Sequence, residues 1–132
     1  MKKPQMILKS LIVFMFLLSS SLSLFAQEQL TFEHNGITRN YILYIPDGIE
    51  ANAPLVFVMH GYTSNAAVIM SYSGMNAQAD DHKFAVCYPQ GTNDFLTIPH
   101  WNANLNVSNT DDIGFLTELA GHLQTTYDLN PE

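Results

Sequence analysis

An unbroken apolar run, LVFVM at residues 55–59, stops abruptly at His60-Gly61 and gives way to the polar, turn-prone stretch YTSN. A run this short, with Val-Phe-Val at its centre, reads as a buried inner strand, the pattern of a parallel sheet covered by helices on both faces. FAVCYPQG at 84–91 is a second buried strand, ending at a Pro and a Gly. Between the two, AAVIMSYSGMNAQADDHK carries helix formers interrupted at Ser73-Gly74, which predicts one short helix and then another. Alternating inner strands and helices imply parallel strands joined by crossover helices.

The flanks agree with that frame. QLTFEHNGITRNYILYIP has two β-rich halves joined at Asn35-Gly36, a hairpin signal, and its Tyr41–Ile45 part suits a strand packed on both faces before Pro46-Asp47-Gly48 turns the chain. Residues 92–110 are Asn-rich and irregular and hold the single Trp, Trp101. DDIGFLTELAGHLQTTYDL predicts a helix with Ile113, Leu116, Leu119, Leu123 and Tyr127 on one face, and with Asp111 and Asp112 in the first turn where the dipole favours anions. LNPE reads as its exit into a turn, which is expected to feed another strand. The expected fold class is α/β, an antiparallel hairpin leading into parallel strands with crossover helices. It amounts to about half of a doubly wound sheet.

A basic MKKPQMILK, an apolar SLIVFMFLLSSSLSLF and a small residue before polar ones form a secretory signal peptide over residues 1–26, cut after Ala26, with one domain over 27–132. An uncleaved anchor is the competing reading, but Ser19–Ser21 shorten the apolar part below the ~20 residues of a span. A secreted or periplasmic protein without a stable membrane anchor is therefore expected. Beyond residue 26 only Arg39 and Lys83 stand against twelve acids, a net charge of about −10 that argues against nucleic acid and anionic membranes as partners. Hydrophobic residues at 47% and charged ones at 13% exclude disorder. Cys87 has no second Cys to pair with and reads as a small core residue.

The histidines stand 18 to 26 residues apart with no i, i+4 pair, so neither a metal nor a cofactor is expected and they read as solvated surface residues. Asp80-Asp81 and Asp111-Asp112 read as helix-end charges rather than as Ca²⁺ ligands or acid/base pairs, and Tyr41, Tyr44 and Tyr88 as core or interface aromatics. His60-Gly61 carries more. The carboxyl end of a parallel strand is where open α/β sheets bind ligands, and Gly61 lets the backbone turn so that amides from Tyr62 onward face a developing negative charge. Strand, His-Gly, helix is the layout of half an oxyanion hole; a satisfied structural histidine at a strand end is the alternative.

From Arg39 to Glu132 the sequence resembles the secreted α/β-hydrolase esterases of the polyhydroxybutyrate depolymerase and feruloyl esterase group. The matching stretches are RNYILYIP, APLVFVMHGYTSNA, SGMNAQADDHKFAVCYPQG, HWN and DDIGFL, in that group's order and spacing. The resemblance implies a serine ester hydrolase acting on a polyester or an esterified polysaccharide. It implies that the Tyr62 amide donates to the oxyanion with His60 and Gly61 supporting the loop, that Trp101 and Asn102 belong to a substrate-binding loop at the pocket rim, and that Asp112 is structural support. Many relatives carry Cys at the positions of Tyr62 and His100, implying a disulfide there; its absence here leaves the loop to be held by packing.

Ester hydrolysis on this fold also needs Gly-x-Ser-x-Gly, then an acid, then a His. None of Ser64, Ser71, Ser73 and Ser108 is flanked by Gly two residues away on both sides. In the group this elbow follows the strand after the DDIGFL helix. The expectation is an N-terminal portion with half the oxyanion hole and no nucleophile, inactive alone. The alternative is a non-catalytic secreted module that binds polymer or carbohydrate.

Overall fold

The computed structural model describes residues 28–103 and 108–131, so the signal-peptide reading lies outside the described residues. The chain opens with β1 (Gln29–His34) and β2 (Ile37–Tyr44), paired antiparallel with Thr31 opposite Asn40. Asn35 and Gly36 between them both have positive φ, 52° and 74°, as a two-residue hairpin turn with right-handed strand twist requires. Then come β3 (Leu55–Phe57), α1 (Ala66–Ser73), α2 (Met75–His82), β4 (Ala85–Pro89), the short strands β5 (Thr92–Asn93) and β6 (Pro99–His100), and α3 (Asp112–Tyr127). Gly74, at φ 67°, ends α1 and starts α2, so the break read at Ser73-Gly74 is a left-handed corner between two helices.

The main sheet has the order β1-β2-β4-β3, with β2 antiparallel and β3 parallel to β4. Alternate residues of β2 and β4 face two separate layers. On one side Tyr41, Leu43 and Cys87 pack against Phe115, Leu119 and Leu123 of α3. On the other, Ile42, Val86 and Tyr88 pack against Ala66 of α1 and Ala79 of α2. Burial pushes the Cys87 thiol pKa far up, as suits a core residue rather than a nucleophile.

Three expectations are corrected. β4 is wholly buried, whereas β3, read as an inner strand, lies at the edge of the described sheet and is half-buried. The apolar run predicts what its faces touch and says nothing of its two backbone edges. On α3 the buried face is Asp112, Phe115, Leu119 and Leu123, while Ile113 is 80% exposed and Tyr127 39%. The helix turns Phe115 to the sheet, and Asp112 follows because it finds a buried cation. Finally, His34, His60 and His100 are buried rather than solvated; only His82 and His122 are exposed.

Where the chain leaves α3, Leu129 is buried and forms a parallel bridge with Ala53, two residues before β3. The Asn130 N–H donates to the Ala53 carbonyl at 2.9 Å and the Asn52 N–H to the Asp128 carbonyl at 2.7 Å. A parallel ladder thus starts beside β3. Among the described residues no helix is long and apolar enough to cross a membrane.

Candidate functional site

Because β3 and β4 are parallel, both end at one rim, β3 running into Val58–Gly61 and β4 into Gln90-Gly91. His60, 3% exposed, knits the two exits together. Its Nδ1 lies 2.8 Å from the Gly61 carbonyl, and its Nε2 accepts the Gly91 N–H at 3.0 Å with the Gln90 amide at 3.2 Å. A neutral ring protonated on Nδ1 satisfies every one of these contacts. The Gln90 Oε1 accepts the Ala66 N–H at 2.9 Å, tying the start of α1 to the same point, and Asn65 caps that helix through the Val68 N–H. The His60 side chain is thus fully engaged in holding the turn.

The backbone just past it is exposed. The Ser64 N–H donates to the Gly61 carbonyl and the Thr63 N–H to the Pro99 carbonyl, both at 3.1 Å. Between the Gly61 carbonyl and the Thr63 N–H, the Tyr62 N–H has no hydrogen-bond partner among the described residues. The positive φ in this turn belongs to Thr63, at 69°, rather than to Gly61. At Gly61 nothing lies within 4 Å of where a Cβ would stand, so no other segment crowds the backbone just before that amide. Fixed on both sides and unpaired in the middle, such a turn can hydrogen-bond an anion that arrives at the rim.

Three contacts hold it. The Trp101 Nε1 donates to the His60 carbonyl at 2.9 Å, and the two rings lie 5.3 Å apart between centroids. The Tyr62 hydroxyl donates to Asp94 Oδ2 at 3.2 Å. The Thr63–Pro99 bond sets the turn against β6, where buried His100 has both ring nitrogens without a partner among the described residues. At Tyr62 the hydroxyl bond to Asp94 steadies the loop, whereas His100 is fixed by its place in β6. Gly91 has no room for a side chain, since a Cβ there would stand 2.1 Å from the His100 carbonyl oxygen.

Asn102 points elsewhere. Its N–H donates to Asp112 Oδ2 at 2.6 Å and its side-chain amide to the Thr110 carbonyl at 2.9 Å. Asp112 Oδ1 accepts Arg39 Nη2 at 2.7 Å, both residues being almost fully buried, and the guanidinium lies over the Phe115 ring at 4.0 Å. Asp112 therefore fastens β2, α3 and the 101–102 segment to one another. The fold brings His60, Gly61, Tyr62 and Trp101 together at the rim and engages Asn102 within the structure. A polar cleft of about 440 Å³ opens on the β2 side of the rim, between Asn40, Asn65, Gln90 and Asn93; neither Tyr62 nor Trp101 lines it.

Asp94, Gln90 and Gly91 escaped the sequence reading. Residues 92–100, read as irregular, form the β5–β6 ribbon, and Asn93-Asp94 was the turn signal that marked it. Among the described residues no serine hydroxyl bonds a histidine, and no cluster of three His, Cys, Asp or Glu could hold a metal ion.

No family model matches the chain. Similar curated proteins include poly(3-hydroxyalkanoate) depolymerase C of Paucimonas lemoignei, 42% identical over 72 residues that make up 54% of this chain and 17% of that protein. Feruloyl esterase B of Thermothelomyces thermophilus is 25% identical over 108 residues, 82% of this chain and 35% of that protein. Among solved structures, the S-formylglutathione hydrolase of Staphylococcus aureus superposes with a TM-score of 0.55 over 79% of this chain and 42% of that one, at 18% identity. A fluorophosphonate-binding serine hydrolase of the same organism gives 0.55 over 77% and 41%, at 17% identity. The chain thus spans roughly a sixth to a third of the curated relatives and about two fifths of the structural ones.

Proposed function

We propose that this chain, a relative of the polyhydroxybutyrate depolymerase and feruloyl esterase group with a partial α/β-hydrolase fold, is the amino-terminal portion of a secreted serine carboxylic-ester hydrolase. The observation that carries the reading is the parallel bridge between Ala53 and Leu129. A strand continued from Leu129 in that register runs along the open edge of β3 and draws level with His60 after about seven residues. A serine on a sharp turn there stands beside the Tyr62 amide.

In this reading the serine hydroxyl attacks the ester carbonyl, helped by a histidine and an acid from further segments, and the carbonyl oxygen takes up negative charge. The Tyr62 N–H receives that oxygen as one of two donors, the other being the amide after the nucleophile. One such preorganised donor is worth about 3 kcal/mol in the transition state. His60, Gly61 and Trp101 keep the Tyr62 turn in place, Trp101 also edging the pocket, while Asn102 fixes the foot of that loop. The chain's acidity suits a neutral ester, with a polyester or an esterified polysaccharide as the substrate class, and the residues before 27 direct export.

Ester turnover tests this. The 132-residue chain alone is expected to show none above blank with a small activated ester. A gene product extending past Glu132 with Gly-x-Ser-x-Gly on the next strand is expected to be active and to lose activity when that serine becomes Ala. Saturable activity of the 132-residue chain that disappears on Ser71→Ala or Ser73→Ala would overturn the assignment.

A further inference from the structure

The β5–β6 ribbon leaves a question that hydrolysis by itself does not answer. Its tip exposes two large apolar residues, Phe95 at 79% and Leu96 at 59%, next to a carboxylate, Asp94, that is 9% exposed. Buried carboxylates are costly unless hydrogen-bonded, and this one is. Oδ1 accepts the Leu96 N–H at 2.8 Å and the Ile98 N–H at 3.0 Å, while Oδ2 accepts the Tyr62 hydroxyl at 3.2 Å. The backbone closes the same turn, with Asp94 N–H to the Ile98 carbonyl and Thr97 N–H to the Asp94 carbonyl, both at 3.0 Å, and Thr97 at φ 62°.

One side chain thus does two jobs. It stiffens the tip so that Phe95 and Leu96 stand out, and it anchors Tyr62, whose amide and ring share a Cα, from the ring end. Tyr62 is itself 52% exposed, so three large apolar side chains belong to one hydrogen-bonded unit at the rim. Scattered exposed apolar residues need no explanation, but a fixed group of them marks a contact surface.

The local charge says what it contacts. Of the two cations beyond residue 26, Arg39 is buried against Asp112 and Lys83 precedes β4, at the end of that strand away from the rim, so neither faces an anionic substrate at the ribbon. We infer that the β5–β6 ribbon is the specificity arm of the oxyanion turn. Asp94 acts as a positioning residue for Tyr62, and Phe95 with Leu96 contacts an apolar acyl or aryl group of the ester. The inference rests on the esterase reading above and adds the part of the substrate that the ribbon selects.

Steady-state kinetics of the full-length protein on p-nitrophenyl acetate, butanoate and octanoate test it. Tyr62→Phe keeps the amide and ring and removes only the hydroxyl bonded to Asp94. It is expected to lower kcat about threefold to tenfold on all three esters while KM stays within about twofold, the signature of a lost transition-state contact. Phe95→Ser with Leu96→Ser is expected to raise KM for octanoate at least about fivefold more than for acetate, since each buried methylene contributes to binding. Asp94→Ala is expected to act like both together, and Asp94→Asn, which keeps an accepting oxygen, to recover most of the loss. A wild-type protein inactive on every ester overturns the esterase reading and this inference with it. An active wild type whose kcat ignores Tyr62→Phe, or whose chain-length profile ignores the ribbon substitutions, overturns the inference alone.

Discussion

Arg39 and Asp112 show what a single residue can decide in this chain. Each is almost completely buried, and the pair at 2.7 Å offsets part of the hydration that both groups lose, Arg39 Nη1 having no hydrogen-bond partner among the described residues. Removing one partner leaves the other charge desolvated and uncompensated, which costs about 3–5 kcal/mol. Arg39→Met is accordingly expected to lower unfolding stability by that amount in a denaturant titration, and Arg39→Met with Asp112→Asn to regain a substantial part, because the stranded charge is gone. Equal losses in the single and double variants would show that the pair is not what holds this region. Gly91 is a steric counterpart. The obstacle to a Cβ there is the His100 backbone carbonyl, which cannot rotate aside. Gly91→Ala should therefore cost about 1–3 kcal/mol as the ribbon is pushed off the rim. Gly61→Ala, with open space in front of it, should stay within about 0.5 kcal/mol. Thermal melts of the two variants side by side decide between them.

Elements in this fold are joined by side chains that local patterns cannot reveal, and His34 is the plainest case. It ends β1, is buried, and lies 2.8 Å from Glu118 on α3 and 3.2 Å from Asp111, which caps that helix. The hydrogen bond to Glu118, with a smaller contribution from Asp111, raises its pKa above the ordinary 6.5 despite the opposing effect of burial. A folded-state pKa above the unfolded one gives stability that is fully present below pH 6.5 and fades as pH climbs through the raised value. Melting temperature is therefore expected to fall from pH 6.5 upward in the native protein, and to do so less in His34→Gln; parallel curves would count against the clamp. Asp111, lowered chiefly by the Gly114 amide and then by His34, acts in the opposite direction, its contribution disappearing as pH drops through its depressed value. The same long-range pairing explains what the sequence made legible. The Asn35-Gly36 turn, the break at Gly74 and the two-sided burial of Tyr41–Leu43 follow from neighbours and periodicity, and they were readable. The buried face of α3 was not, because Asp112 faces inward only by virtue of Arg39, seventy-three residues earlier. The buried histidines were unreadable for the same reason, His60 being satisfied by the amides of Gln90 and Gly91. At the site, the turn that carries the unpaired Tyr62 amide could be located from a strand ending in His-Gly. The ribbon that steadies it hid behind a loop whose one regular feature was the pair Asn93-Asp94.

At the scale of the whole molecule, helices cover both faces of the sheet, and β3 forms its edge among the described residues. The Val58 N–H donates to the Cys87 carbonyl and the Ala85 N–H to the Pro54 carbonyl, so residues 54, 56 and 58 turn their backbone toward β4. By the alternation of a parallel strand, Leu55 and Phe57 point theirs the other way, toward the edge where the Leu129 bridge begins. An exposed row of backbone donors and acceptors on an apolar strand is a template for pairing with another chain. The 132-residue chain is therefore expected to self-associate in light scattering. A version extended by the residues that continue from Leu129 along β3 should be monomeric. Hydrogen exchange separates this from association elsewhere: the Leu55 and Phe57 amides should exchange fast in any monomeric 132-residue chain and slowly in the extended one, whereas Val56 and Val58 should be protected in both. Slow exchange at Leu55 and Phe57 in a monomeric, cooperatively melting 132-residue chain would mean that the edge is closed by something already within it. The next strand, and the nucleophile placed on it, would then have no place beside Tyr62.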